Sequence, residues 1–283
     1  MRLPLLFLVC IPQLLTAQVL ADTFEEPTED GVIIYVRNQE YSPVTFEFQL
    51  DLNNMYASPA DSLVRLVPPR VERWPAYRLR IDPEAREYGY GYEYAVNVGD
   101  HRADGYDANY VYELPVAPGT TVTVNQGYNG RFSHQGALAL DFNLEEGAPV
   151  HAARNGVVAD VVDEHDRGCP NPRCERYENR VVVYHADGTF AVYAHLQQHS
   201  AQVARGDTVT AGQLLARAGA TGFANGPHLH FSVYRQLMDG RRYVPTDFRY
   251  VPAGTRSTNA TGARAQVLGR LEERGKYQRP ASD

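Results

Sequence analysis

The chain has 283 residues, of which 43% are hydrophobic and 22% are charged, and its formal net charge is -7. This length allows one large domain or two ordinary ones. The negative charge argues against a general nucleic-acid-binding protein, which would need a basic face.

The N-terminus predicts a secretory signal peptide over residues 1–21. Met1-Arg2 gives a positive start, residues 3–15 are mostly apolar, and small residues follow at Ala17 and Ala21, either of which is a plausible cleavage position. A membrane anchor would need about 20 apolar residues and is less consistent with this stretch. The predicted location is therefore outside the cytoplasm, in the periplasm, the cell envelope or the extracellular space, with no stable membrane insertion after cleavage.

Residues 22–114 predict a β-sandwich-like domain. Short alternating runs at 32–36, 44–50 and 77–81 are typical of strands, and Pro and Gly residues separate them. Tyrosines alternate along residues 88–94 and would share one face of a strand. A packing surface is favoured for them over a platform that binds carbohydrate or peptide.

Residues 115–252 predict a second domain, mainly antiparallel β-sheet, so that the fold class is all-β. Pro115, Pro118 and Gly119 mark the boundary, and glycines then separate further strand-like runs. From residue 253 to 283 the chain becomes polar and charged, which predicts a flexible tail. Cys169 and Cys174 flank a turn-like segment, and in an exported protein such a pair predicts a disulfide, with two free thiols as the alternative.

The most informative stretch is Gly226-Pro227-His228-Leu229-His230-Phe231. On a strand His228 and His230 would point to the same face. Two such imidazoles can bind a metal, act as acid and base, or divide these roles, and a surface strand with two solvated histidines is the alternative. His134, Asp141 and His195 lie in similarly distinctive contexts, and a catalytic zinc site uses three His, Asp or Glu ligands.

These segments together resemble the LytM/lysostaphin-type zinc metallopeptidases, which are peptidoglycan endopeptidases of bacterial envelopes. The resemblance covers about residues 126–247. It rests on an ordered series of segments: Ser133-His134 to Asp141-Phe142, Asn179 to Gly188, Tyr193-Ala194-His195-Leu196, Gly219 to Gly222, and Gly226 to Phe231. One difference is that six residues separate His134 from Asp141, more than in the most familiar members, so residues 135–137 are expected to form an extra turn.

The resemblance implies a role for each residue of the set. His134, Asp141 and His230 would bind one zinc ion, and His195 and His228 would serve catalysis, without an indication of which is the general base. The implied substrate is a peptide bond in a peptidoglycan stem peptide or cross-bridge, and the implied activity is that of a zinc metalloendopeptidase in cell-wall remodelling. Two alternatives remain: a non-catalytic regulator of another cell-wall hydrolase, and a carbohydrate-binding or adhesive envelope protein built on the tyrosine-rich region.

Overall fold

A computed structural model describes residues 19–60, 62–101, 105–252 and 266–281 of the chain. The predicted signal peptide lies outside these ranges except for its last three residues. Among the described residues no helix has the length and hydrophobicity that a membrane span requires.

The first region is a sandwich of two antiparallel sheets. Phe48 of one sheet meets Tyr77 of the other edge-on, with ring centroids 5.2 Å apart, and both lie in one buried apolar cluster. The β-sandwich predicted for this region is therefore confirmed. The sheets have the orders β1-β2-β6-β4 and β5-β3-β7. The strands are Ala21–Thr28 (β1), Gly31–Asn38 (β2), Val44–Asn53 (β3), Met55–Ser58 (β4), Val64–Val67 (β5), Val71–Ile81 (β6) and Gly89–Val98 (β7).

The tyrosines of β7 pack within this sandwich. The Tyr90 hydroxyl donates to the Glu25 carboxylate at 2.7 Å, and the Tyr92 hydroxyl lies 3.2 Å from the Thr23 hydroxyl. Both partners belong to β1, so these bonds connect one sheet to the other. Tyr88, just before β7, is 58% exposed. The packing interpretation thus applies to Tyr90 and Tyr92.

The second region is built on one large sheet, in which neighbouring strands are antiparallel apart from the parallel pair β8–β21. Its order is β16-β12-β14-β15-β19-β10-β9-β23-β21-β22, with β20 beside β19 and β8 beside β21. The all-β, mainly antiparallel fold is confirmed. The strands of the region, including those of two small sheets, are Val111–Glu113 (β8), Thr121–Gln126 (β9), Ala139–Phe142 (β10), Pro149–His151 (β11), Gly156–Val162 (β12), Gly168–Cys169 (β13), Arg180–Tyr184 (β14), Phe190–Ala194 (β15), Thr208–Val209 (β16), Leu214–Arg217 (β17), Gly222–Phe223 (β18), Leu229–Leu237 (β19), Gly240–Tyr243 (β20), Asp247–Pro252 (β21), Val267–Gly269 (β22) and Lys276–Gln278 (β23).

A disulfide-closed loop lies beside the large sheet. Cys169 and Cys174 are joined by a disulfide, as the sequence predicted. The loop leads into a short 3₁₀ helix, Pro172–Tyr177, whose first turn is capped by the Asn171 side chain, which accepts from the Arg173 N–H. Strand β13 enters this loop and pairs in parallel with β18, which places the loop against residues 222–223.

The C-terminal tail corrects one expectation. Residues 253–283 were predicted to be flexible, and residues 253–265, 282 and 283 lie outside the described residues. Within residues 266–281, however, β22 and β23 pair with β21, and β23 also pairs with β9. Leu271 and Tyr277 are buried, and the Tyr277 ring packs edge-on against Tyr250 at 4.8 Å. The structure of residues 266–281 differs from the expectation because these apolar residues are widely spaced among charged ones, so no strand period is visible in the sequence.

The two regions touch on one face of the large sheet. Glu40 forms an ion pair with Arg205 at 2.6 Å, and the Asn97 amide donates to the Leu237 carbonyl at 3.1 Å. Leu237 is the last residue of β19. Val98 packs against a buried cluster that includes Ala194, which lies directly opposite His230, so the first region also covers part of the sheet face that carries His230.

Burial of His185 predicts acid-sensitive stability. His185 follows β14 and is 0% exposed, and its Nδ1 donates to the Asn155 carbonyl at 2.8 Å. Within the described part of the chain its Nε2 has no hydrogen-bond partner. Burial lowers the pKa of His185 from 6.5 to about 4. The unfolded chain therefore binds this proton more readily than the folded chain does, and the stability from the neutral ring is lost as the pH falls from about 6.5 to about 4.

We expect this group alone to reduce the free energy of unfolding by about 3 kcal/mol across that range. Urea unfolding at pH 7.5, 5.5 and 4 measures the effect in the wild-type chain and in the variant His185→Asn, whose amide can still donate to Asn155. A variant with the wild-type pH dependence would show that His185 does not cause it.

Candidate functional site

His134 reaches the sheet through a compact loop between β9 and β10. The His134 N–H donates to the Gly130 carbonyl at 3.1 Å, and the Ala137 N–H donates to the His134 carbonyl at 2.9 Å. Gly136 has a φ of +75°, in the left-handed region that favours glycine. The extra turn expected at residues 135–137 is thus present. It places His134 Nε2 3.1 Å from Asp141 Oδ1.

Asp141 and His230 face each other across neighbouring strands. β10 pairs with β19 so that Asp141 lies directly opposite His230. Residues in this position have their Cβ atoms about 4.5–5.5 Å apart on the same face of the sheet. His230 Nδ1 lies 3.1 Å from Asp141 Oδ1 and 3.3 Å from His134 Nε2. The register of one strand pair therefore brings together residues that are far apart in the sequence.

The three side chains form a cluster of ligand atoms suited to a metal ion. His134 Nδ1 donates to the Gly127 carbonyl at 3.0 Å, so in the neutral ring Nε2 carries a lone pair. This atom points at a carboxylate oxygen and a second imidazole nitrogen, and such atoms repel each other unless a proton or a cation lies between them. Bonds of about 2.0–2.1 Å to a tetrahedral zinc place ligand atoms about 3.3 Å apart, close to the separations observed here.

Among the described residues, one group of His, Cys, Asp or Glu side chains has its potential ligand atoms all within 4.8 Å of one another. This group consists of His134, Asp141 and His230. Burial on its own would raise the pKa of Asp141, but the contacts with His134 and His230 outweigh it and hold that pKa well below its usual range. The donor set of two imidazoles and one carboxylate is one that zinc takes in catalytic sites. The residues therefore fit the predicted metal.

His195 and His228 lie against this cluster. Their ring centroids are 4.6 Å apart, and the His195 centroid is 5.8 Å from that of His230. His228 Nε2 lies 3.8 Å from Asp141 Oδ1. His195 Nδ1 donates to the Thr221 carbonyl at 2.8 Å, and His228 Nδ1 donates to the Gly226 carbonyl at 2.9 Å. In their neutral forms both rings therefore have a free lone pair at Nε2, which can accept a proton.

A buried hydrogen-bond frame holds His195 in place. The Thr221 hydroxyl donates to the Leu196 carbonyl at 2.7 Å, and the Asn179 N–H donates to that hydroxyl at 3.1 Å. The Asn179 side chain also donates to the Leu196 carbonyl, at 3.3 Å. His195 has a φ of +63°, which is uncommon for a residue with a side chain and persists only where the surroundings impose it. The frame supplies that constraint.

Gln126 orients the second oxygen of Asp141. Its amide donates to Asp141 Oδ2 at 3.1 Å and to the Ser133 hydroxyl at 2.8 Å, and its Oε1 accepts from the Phe132 N–H at 3.0 Å. No function was predicted from the sequence for Gln126, Asn179 or Thr221. Gln126 could have been identified only from its pairing with Asp141 in the neighbouring strand. This pairing cannot be read from the local sequence.

An aromatic pair joins two segments that carry site residues. Phe132, two residues before His134, is 56% exposed, and its ring centroid lies 5.3 Å from that of Phe223. Phe223 belongs to β18, next to the disulfide-closed loop. We call β13, the 3₁₀ helix Pro172–Tyr177 and β18 the disulfide wall. The pair thus connects the loop that carries His134 to the disulfide wall.

The remaining histidines do not join the cluster. His199 is exposed, whereas His101, His151 and His165 are half-buried. His151 Nδ1 donates to the Gly212 carbonyl at 2.7 Å, and the His165 ring packs edge-on against Tyr177. His185 has the structural setting described above.

Comparison with known proteins identifies the same segment. Residues 133–244 match the model of Peptidase family M23. An uncharacterized metalloprotease of Haemophilus influenzae is 31% identical over 141 residues, which are 50% of this chain and 26% of that protein. The DD-carboxypeptidase/endopeptidase Mpg of Neisseria meningitidis is 35% identical over 92 residues, which are 32% of this chain and 18% of that protein.

Lysostaphin of Staphylococcus simulans is 32% identical over 106 residues, which are 37% of this chain and 18% of lysostaphin. The solved catalytic domain of lysostaphin superposes with a TM-score of 0.30 and 23% identity, covering 49% of this chain and 95% of that domain. The chain therefore spans about a quarter or less of the curated relatives named here. The resemblance to lysostaphin-type peptidases is confirmed.

Proposed function

We propose that this protein is an exported zinc metalloendopeptidase, because its residues 133–244 match the model of Peptidase family M23. Its proposed substrates are peptide bonds in peptidoglycan stem peptides or cross-bridges, and its proposed location is the periplasm, the cell envelope or the extracellular space. The observation that carries the proposal is the convergence of His134 Nε2, Asp141 Oδ1 and His230 Nδ1 within 3.1–3.3 Å of one another, beside two further imidazoles.

Three features support individual parts of this proposal. A relative that is 35% identical over 92 residues is named as a DD-carboxypeptidase/endopeptidase, which favours peptide-bond cleavage. The Cys169–Cys174 disulfide and the N-terminal sequence favour export, because disulfides persist in oxidising compartments. The fit of the donor set favours zinc.

His134, Asp141 and His230 would hold the zinc ion. Zinc in such a site polarises the scissile carbonyl and lowers the pKa of water toward about 7. The Gly127 carbonyl fixes the tautomer of His134, and Gln126 fixes the orientation of the Asp141 carboxylate. These contacts keep the ligand atoms aimed at one point without rearrangement.

His228 is the better-placed general base of the two free imidazoles. Its Nε2 can accept the proton of the attacking water, and the Asp141 carboxylate 3.8 Å away would stabilise the imidazolium that forms. His195 is 6% exposed, and burial followed by the charges of His228 and His230 lowers its pKa to about 3. At neutral pH this ring stays uncharged, with its Nε2 lone pair toward the site, where it orients the reacting groups.

Removal of the Gln126 amide should weaken zinc binding without abolishing it. Residues that hydrogen-bond to a metal ligand typically contribute 10- to 100-fold to metal affinity. We expect Gln126→Leu to bind zinc about 10- to 100-fold more weakly, as measured by competition with a zinc chelator. Gln135→Leu is the matched control, because Gln135 lies in the same loop and is exposed. Equal affinity in wild type and Gln126→Leu would contradict the role assigned to Gln126.

Two measurements on the purified protein test the proposed function itself. Metal analysis should find about one zinc ion per chain, and digestion of defined cross-linked muropeptides should yield products of peptide-bond hydrolysis. Bound zinc without hydrolysis would favour a non-catalytic regulator. Neither zinc nor hydrolysis would favour a binding protein.

A further inference from the structure

The chain just before the disulfide-closed loop contacts both neighbours of Thr221. The Gly222 N–H donates to the Arg167 carbonyl at 3.0 Å. A Cβ added to Gly168 would lie 1.8 Å from the Ala220 carbonyl oxygen, so the two backbones are in direct contact there. Because the residues on either side of Thr221 are both held, Thr221 has little freedom to move.

The chain just after the loop contacts the same stretch. The Asn179 N–H donates to the Thr221 hydroxyl at 3.1 Å. Glu178 packs on Gly222, where an added Cβ would lie 2.9 Å from both the Cα and the Cβ of Glu178. The carbonyl of Thr221 accepts from His195 Nδ1 at 2.8 Å. The residues that precede the loop and those that follow it therefore both fix the carbonyl that orients this ring.

The disulfide joins these two segments covalently. Cys169 lies in β13 and Cys174 lies in the 3₁₀ helix Pro172–Tyr177, at a sequence separation of 5. No residue of this helix is buried, so the burial of apolar side chains contributes little to its position. The disulfide is therefore the link that keeps the two segments together around Thr221.

The hydrogen bonds that orient the metal ligands come from other segments. His134 donates to the Gly127 carbonyl, Asp141 accepts from Gln126, and His230 lies on the central strand β19. Movement of the disulfide wall should therefore leave the zinc site in place.

We propose that the Cys169–Cys174 disulfide is a positioning element for His195, so that the chain reaches full peptidase activity only once this bond has formed. The proposal rests on the proposed peptidase function and adds a condition under which the site is fully active. In the reduced chain the two segments are no longer joined, the Thr221 carbonyl shifts, and the His195 ring loses its orientation. Because disulfides form in oxidising compartments, export and full activity would coincide.

Formation of the bond is a two-electron oxidation. The two thiols lose two protons and two electrons to the disulfide of an oxidised dithiol protein, which leaves as a dithiol after thiol–disulfide exchange. Cys169 and Cys174 are half-buried and residues 170–173 between them are exposed, so such a partner can reach the bond. Closing so short a loop stabilises the whole fold less than closing a long one. Reduction should therefore loosen the disulfide wall without unfolding the domain.

The test uses the full zinc-loaded chain before and after reduction with tris(2-carboxyethyl)phosphine, which carries no thiol that could extract zinc. The phosphine becomes its oxide, with oxygen from water, and the disulfide becomes two thiols. On a defined cross-linked muropeptide, kcat should fall by about 10- to 100-fold with KM within about threefold, the size expected when a group at the site is displaced by about 1 Å. The zinc content should stay unchanged, and reoxidation with oxidised glutathione should restore kcat.

Three variants complete the test. The double variant Cys169→Ser/Cys174→Ser should have the kcat of the reduced wild type and should not respond to the phosphine. Gly222→Ala should lower kcat by a similar factor with the disulfide intact, because the added Cβ displaces Glu178. Glu175→Gln is the matched control and should respond as wild type does, since Glu175 is exposed on the same helix.

An unchanged kcat after complete reduction, verified by thiol titration, would overturn the inference. Loss of zinc together with activity would also overturn it, because the effect would then lie at the metal. If the oxidised wild type hydrolyses no muropeptide, the proposed peptidase function fails. Hydrogen exchange of the Gly222 amide then tests the disulfide without activity: faster exchange after reduction supports the positioning role, and equal exchange in both states contradicts it.

Discussion

Replacement of His230 with alanine should remove zinc and peptidase activity together. His230 supplies one of the three convergent ligand atoms, and its loss leaves two, fewer than catalytic zinc sites use. The variant should retain well below one zinc ion per chain after dialysis. Its hydrolysis of cross-linked muropeptides should fall by at least about 10³-fold, because the contribution of the metal is lost. Metal analysis and product chromatography on the same preparation measure the two effects.

His151→Ala is the matched control for this experiment. His151 lies in the same half of the protein, on β11, and its contact is a single bond to the Gly212 carbonyl. It should keep its zinc and its activity. His134→Ala and Asp141→Ala should behave as His230→Ala does. Full activity or full zinc content in His230→Ala would refute the ligand assignment.

Replacement of His228 with alanine should separate metal binding from catalysis. His228 contributes no atom to the ligand cluster, because its Nε2 lies 3.8 Å from Asp141 and its Nδ1 is committed to the Gly226 carbonyl. The variant should bind zinc with the stoichiometry of wild type. Its kcat should fall by about 10²- to 10⁴-fold, which is the usual contribution of a positioned general base.

Two outcomes would contradict this role of His228. Loss of zinc in His228→Ala would mean that this residue binds the metal. A kcat within tenfold of wild type would mean that another group takes the proton.

The sequence predicted the residues of this site better than it predicted their arrangement in space. The alternation of strands was enough to place His228 and His230 on one face, since that depends on a period of two residues. The register that sets Asp141 opposite His230 joins strands 89 residues apart, and no local pattern encodes it. For His134 and His195 the family resemblance, rather than residue spacing, supplied the assignment.

The residues that hold the site residues in place could not be predicted from the local sequence, for a related reason. Gln126, Asn179 and Thr221 are ordinary polar residues in the sequence, and they acquire a role only through backbone atoms of distant segments. The strands of the C-terminal tail were missed because their stabilisation comes from pairing with β9 and β21. Tertiary contacts override weak local propensity in such segments.

The packing of the sandwich on the large sheet has a practical consequence for experiments on an insoluble polymer. Val98 packs against a buried cluster that includes Ala194, and Ala194 lies directly opposite His230 in the neighbouring strand. Residues paired in this way lie on the same face of a sheet, so the sandwich and the histidine cluster share one face. A tag, dye or solid support attached to the sandwich would therefore stand on the side from which a large substrate approaches. We expect a protein immobilised through the sandwich to act on intact sacculi more slowly than the free protein does.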